Sequence, residues 1–92
     1  MVTQPNEQEL IDAGARIEAF VKDEAVQAAI AQMAAKNYTA FKEAKTPDEL
    51  MKASAKAGVL DDFVHELQIV IDRGDAAKIQ RRDRERREGL VS

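Results

Sequence analysis

Apolar residues recur every three or four positions along most of this chain, which is the period of an amphipathic α-helix. Leu10, Ala13, Ile17 and Phe20 fall on one face, with Gly14 and Val21 beside them. Val26, Ile30, Met33, Asn37, Ala40 with Phe41, and Ala44 make a second stripe. Leu50, Ala53, Ala57, Leu60, Val64, Leu67 and Ile71 make a third, widened by Phe63 and Val70. Stop and start signals separate the stripes. Asn6 with Glu9 three residues on has the spacing of a capping box. Asp23 is a fitting N-cap and Glu24 complements the helix dipole, although the segment 22–25 reads equally as a break or a kink. Thr46-Pro47-Asp48-Glu49 is the clearest signal: a capping threonine, a proline at the first helical position and a glutamate to close the box. So tight a link between two long helices makes them antiparallel neighbours. Gly74, just past the third stripe, reads as a C-cap, with Asp75 starting a last helix. The expected fold is all-α: a short N-terminal helix, a long antiparallel helical hairpin, and a charged C-terminal helix or tail. The natural division is 1–75 and 76–92.

Two features complicate a simple hairpin. Met51, Ala55 and Val59 form a second, weaker apolar stripe on the third helix, so that helix has more to hide from water than its own partner covers. Small residues early in it (Ala53, Ala57, Gly58) predict a close-packed end near Thr46, filled by Phe41. Asn37 stands inside the second stripe. It is either an ordinary polar residue, near a fray or in an interhelical hydrogen bond, or a register-setting asparagine at an oligomeric seam. The ordinary reading weighs more.

Composition sharpens the picture. The hydrophobic share of 45% is largely alanine, and the aromatic residues are only Phe20, Tyr38, Phe41 and Phe63. Alanine favours helix but buries little area. A 92-residue chain is one domain with a thin margin of stability, which self-association or docking would widen. There is no cysteine, which excludes disulfides and thiolate metal sites. No apolar run approaches the ~20 residues of a membrane span, and the polar stretch Met1 to Glu9 does not read as a signal peptide. A cytoplasmic setting is expected.

The net charge of −3 hides an asymmetry: residues 1–72 carry 7 basic and 13 acidic side chains, and residues 73–92 carry 7 basic and 4 acidic. Arg81, Arg82, Arg84, Arg86 and Arg87 concentrate the positive charge. Guanidinium groups suit phosphates and carboxylates. However, Arg81 with Glu85, Asp83 with Arg87 and Arg84 with Glu88 are i,i+4 pairs that support a solvated helix, and no aromatic is there to stack a base. A charge-laced helix without a core of its own is therefore the first reading, a protein anchor the second, and nucleic-acid binding the third. His65, the single histidine, has Asp61, Asp62 and Glu66 at helical spacing, but no nucleophile or glycine-rich turn accompanies it. It reads as a surface histidine; no catalytic residue, metal site or cofactor is expected. Arg73-Gly74-Asp75 spells an adhesion tripeptide that the expected glycine cap explains.

Ala13-Gly14-Ala15-Arg16-Ile17, the joint Lys22-Asp23-Glu24-Ala25-Val26, and Ile69-Val70-Ile71-Asp72-Arg73-Gly74-Asp75-Ala76-Ala77 resemble, in this order, the features of small uncharacterised helical proteins of tailed bacteriophages. The resemblance covers residues 10–79 and carries no functional residue. It implies a virion or assembly component, placed in the host cytoplasm or the virion, or an inhibitor of a host system. The expected function is thus a non-enzymatic protein that oligomerises or docks on a protein partner, with Met51 and Val59 or the five arginines as contacts. The alternatives are a blocker of a host defence protein whose acidic body mimics nucleic acid, and a nucleic-acid-binding module using the arginines. No membrane partner is expected. If the third stripe is the buried one, Leu60→Ala and Leu67→Ala each lower the free energy of unfolding by ~2–5 kcal/mol, whereas Lys56→Ala changes it little. Similar melting temperatures for Leu67→Ala and Lys56→Ala would mean that the wrong face has been assigned.

Overall fold

The structure is a computed structural model that describes residues 6–91, with side chains as far as Gly89. The first five residues, part of the polar stretch Met1 to Glu9, lie outside the described residues, as does Ser92. Three α-helices make up the described chain: α1 (Glu7–Lys22), α2 (Glu24–Glu43) and α3 (Pro47–Val91).

Each helix start is set by a side chain that takes up backbone N–H groups left without an intrahelical partner. Asn6 Oδ1 accepts the Glu9 N–H at 2.8 Å. A single residue, Asp23, separates α1 from α2. Its backbone is extended, with φ −64° and ψ 128°, and its carboxylate accepts the N–H groups of Ala25 and Val26 at 2.9 and 3.1 Å. The joint is therefore a true break, bridged by the Gln27 amide donating to the Val21 carbonyl at 3.0 Å. At α3, Thr46 Oγ1 accepts the Glu49 N–H at 3.1 Å, while the Glu49 carboxylate accepts the Lys45 N–H at 2.8 Å. The box thus closes one residue earlier than its usual form.

Gly74 does not end a helix. α3 runs through it to Val91, and no glycine among the described residues has a positive φ. The expected cap at Gly74 and the new helix at Asp75 are both corrected. The glycine serves a close approach instead: a Cβ on Gly74 would stand 2.9 Å from the Leu10 carbonyl oxygen and 3.0 Å from Gly14 Cα. Likewise a Cβ on Gly14 would stand 3.0 Å from Gly74 Cα and 3.3 Å from the Val70 carbonyl oxygen. Two facing glycines let backbone touch backbone, closer than helices with side chains at the contact can come.

The chain forms two compact units. In the first, α1 as far as Ala19 pairs with α3 from Leu67 onward, in opposite chain order: Gly14 meets Val70 and Gly74, and Glu7 meets Arg81 and Arg84. Gly14, Gly74 and Ala77 are buried there, with Leu10, Ile17, Val70 and Ile71 half-buried. Ala77 is thus a buried residue within the charged segment, in which the large apolar side chain of Ile79 is exposed. In the second unit, Phe20–Glu66, α2 lies against the first part of α3, with Ala53 and Leu60 buried and Val26, Ile30, Asn37, Ala40 and Ala57 half-buried. Of the small residues expected to pack close near Thr46, Ala53 is buried and Ala57 half-buried, but Gly58 faces open space and Phe41 stays exposed rather than filling the seam. Leu67 is only half-buried, so its truncation costs less than that of Leu60.

Opposite substitutions of two glycines test the close approach. Gly74→Ala drives a methyl group into backbone that no rotamer change can clear, and lowers stability by about 1–3 kcal/mol. Gly58→Ala meets nothing within 4 Å and raises it by about 0.5–1 kcal/mol, because alanine loses less entropy in a helix. Chemical denaturation of both variants gives the signs; stabilisation by both would mean that the two backbones do not touch.

Candidate functional site

Two surfaces carry the expected contact residues, and the structure treats them differently. Among the five arginines, Arg81 and Arg84 are one helical turn apart on α3 and both reach Glu7, in the first turn of α1. Arg81 Nε donates to Glu7 Oε1 at 2.6 Å. Arg84 donates to both carboxylate oxygens, Nη1 to Oε2 and Nη2 to Oε1, each at 3.0 Å. A carboxylate in such a fork is stabilised in its charged form. The hydrogen bonds from Arg84 and then Arg81 hold the Glu7 carboxyl down from 4.5 to about 2, and Glu7 raises Arg84 in return. The hydrogen-bonded ion pairs of these two arginines therefore run across the unit to Glu7, while Glu88 and Glu85 along the same helix act on Arg84 only as nearby charges. Arg82, Arg86 and Arg87 remain exposed. Sequence reasoning missed the clamp because its partners stand 74 and 77 residues apart. The one local signal was an acid in the first turn of α1.

The second surface lies on the α2–α3 pair. Met33, Asn37, Ala55, Lys56, Val59 and Leu60 line a groove between the two helices. Met51, Ala55, Val59 and Phe63 follow one another at every fourth position of α3, so they share a face. Met51 and Val59 are each 70% exposed, Met33 52% and Phe63 46%, although water is the poorest surrounding for such side chains. On the other flank of Leu60 a second groove holds Ala34, Tyr38, Phe41, Ala57 and Asp61, again with Asn37. Lys42 Nζ stands 5.5 Å from the Tyr38 ring centre there. Asn37 thus lines both grooves. It is half-buried in the middle of α2, far from any fray, and its amide makes no hydrogen bond to another described residue. An interhelical hydrogen bond, one of the readings open for Asn37, is not formed among the described residues.

Elsewhere the described residues offer little chemistry. His65 is exposed, and no group of three or more histidine or acidic side chains stands close enough to share a metal ion. Arg73-Gly74-Asp75 lies inside α3 with Gly74 packed on Gly14, so close approach, not a cap, accounts for its glycine. No described helix is long and apolar enough to cross a membrane. The chain matches no family model, no curated protein and no solved structure.

The clamp has a pH signature. Glu7 is ionised more readily in the folded chain than in the unfolded one, so its contribution to stability is complete above its ordinary value of 4.5 and is lost as pH falls towards 2. The gap in Tm between the native chain and Glu7→Gln is expected to hold steady from pH 7 to about 5.5 and to close progressively below 4.5. A gap that ignores pH would mean that Glu7 does not sit between the two arginines.

Proposed function

We propose that this chain is a non-enzymatic association protein: an antiparallel helical hairpin that oligomerises or docks through the apolar flank of α2 and α3. One observation carries this reading. Among the described residues the buried apolar side chains are Ala53, Leu60 and Ala77, whereas Met33, Tyr38, Leu50, Met51, Val59 and Phe63 are among the large ones that stand in water. Exposed apolar side chains scattered singly need no explanation, but a contiguous row beside a groove marks a contact surface. Methionine suits such a surface because its flexible, polarisable side chain adapts to whatever it meets. The resemblance to small phage proteins supplies the setting, a virion or assembly component in the host cytoplasm or the particle, where many symmetric copies meet. The arginine surface is the weaker candidate, since Glu7 already occupies two of its five guanidinium groups.

A photoreactive side chain placed at Val59 or at Arg82 of the full chain, in its native source, separates the two surfaces. Covalent protein adducts are expected from position 59 and not from position 82. Adducts from 82 alone would move the contact to the arginines, and adducts from neither would remove the association reading.

A further inference from the structure

We propose that the groove of Met33, Ala55 and Val59 is covered by the same groove of a second copy of this chain, with the two Asn37 amides paired at the centre of the contact. This names the partner left open by the association reading, and rests on it.

The argument begins with Asn37. A primary amide offers two N–H donors and a carbonyl acceptor, and here none of them is used within the described chain. In the open groove, water serves the amide. Any partner that covers the groove with apolar side chains alone removes that water and leaves the amide unpaired. A second Asn37 brought up across a two-fold axis pairs both amides at once, because one N–H of each donates to the other's carbonyl. A two-fold contact places each residue of a patch against the matching patch, so a self-complementary centre is what such a contact requires. One asparagine at a helical seam is also a known means of setting register and copy number.

The rest of the lining points the same way. Met33, Ala55, Val59 and Leu60 are apolar, and Lys56 is the one ionic residue of this groove. A strongly acidic or basic partner would find little to pair with there, whereas an apolar patch complements its own copy. The area fits too. At their observed exposures Met33, Met51, Val59 and Phe63 leave on the order of 400 Å² of apolar surface in water, as large as the largest patch of a typical monomer. Two such patches cover about 800 Å² of apolar surface, and with their polar rims they reach the ~1,200–2,000 Å² of a stable interface.

Sedimentation equilibrium of the full chain at 1–200 µM tests this, with circular dichroism to follow helix content. The expected mass is twice the 10.2 kDa of the single chain. Val59→Lys is expected to weaken the dimer at least tenfold while leaving the helices intact, because that side chain is 70% exposed in the single chain. Asn37→Asp tests the centre. Two carboxylates brought face to face repel at pH 7 but can share a proton in acid, so this dimer is expected to weaken at pH 7 and recover near pH 4. Lys56 and Asp61 are the charged groups lining the grooves beside position 37, and the native chain measured at both pH values accounts for their contribution. A helical chain that remains monomeric at 200 µM overturns the second copy. Adducts from position 59 to a different protein would then still uphold docking, so the two failures are distinguishable. A dimer untouched by Val59→Lys, or an Asn37→Asp dimer indifferent to pH, overturns this groove and this centre respectively.

Discussion

A pair of helices has only one seam. Each helix can turn about a third of its circumference towards the other, and everything apolar outside that arc stays in water. Each of the two units has its own seam, and both rest on small side chains: Gly14 against Gly74 with Ala77 in one, Ala53 and Ala57 beside Leu60 in the other. Small residues let backbones approach and make many weak contacts at short range, but they withdraw little apolar area from water. The larger apolar side chains lie on the flanks, so the order imposed by the seam leaves them uncovered. The exposed flank that we propose for association is a consequence of that choice of residues.

The two units resolve the same shortage in different ways. Where α1 meets α3, close backbone contact is finished by a polar clamp, Glu7 between Arg81 and Arg84, in which both carboxylate oxygens are used. Where α2 meets α3, there is no such closure, and Asn37, with its amide unpaired among the described residues, stands where two apolar grooves meet. In the first unit both oxygens of Glu7 are taken up by arginines; the second presents an amide that is unpaired among the described residues, beside methionine and valine. That contrast is why we propose the contact surface on the second.

Local signals in the sequence proved readable because their physics is local. Asn6, Asp23 and Thr46 each take up N–H groups two or three residues away, so their spacing alone marks the helix starts. Period alone marks the apolar stripes but does not set which members are covered: Leu50 and Val64 of the third stripe, Met33 of the second and Phe20 of the first are exposed. Gly74 was misread because a glycine after a stripe has two physical uses, a cap or a close approach, and only the position of Gly14 tells them apart. The pairing of Arg81 and Arg84 was hidden for the same reason: Glu85 and Glu88 are nearer along the chain, but Glu7 is nearer in space. At Asn37 the sequence offered a hydrogen bond within the pair or a role at a seam between copies, and the folded chain does not form the first.

If covering the flank of α2 and α3 is what completes this fold, folding and association are coupled, and stability depends on concentration. Thermal unfolding followed by circular dichroism over a hundredfold range of chain concentration reads this directly. The midpoint is expected to rise by roughly 5 °C or more across that range, as it does when unfolding separates two chains. A single cooperative transition at the same temperature throughout would show that one seam of glycine, alanine and leucine is enough, and would contradict the link between the thin seam and the exposed flank.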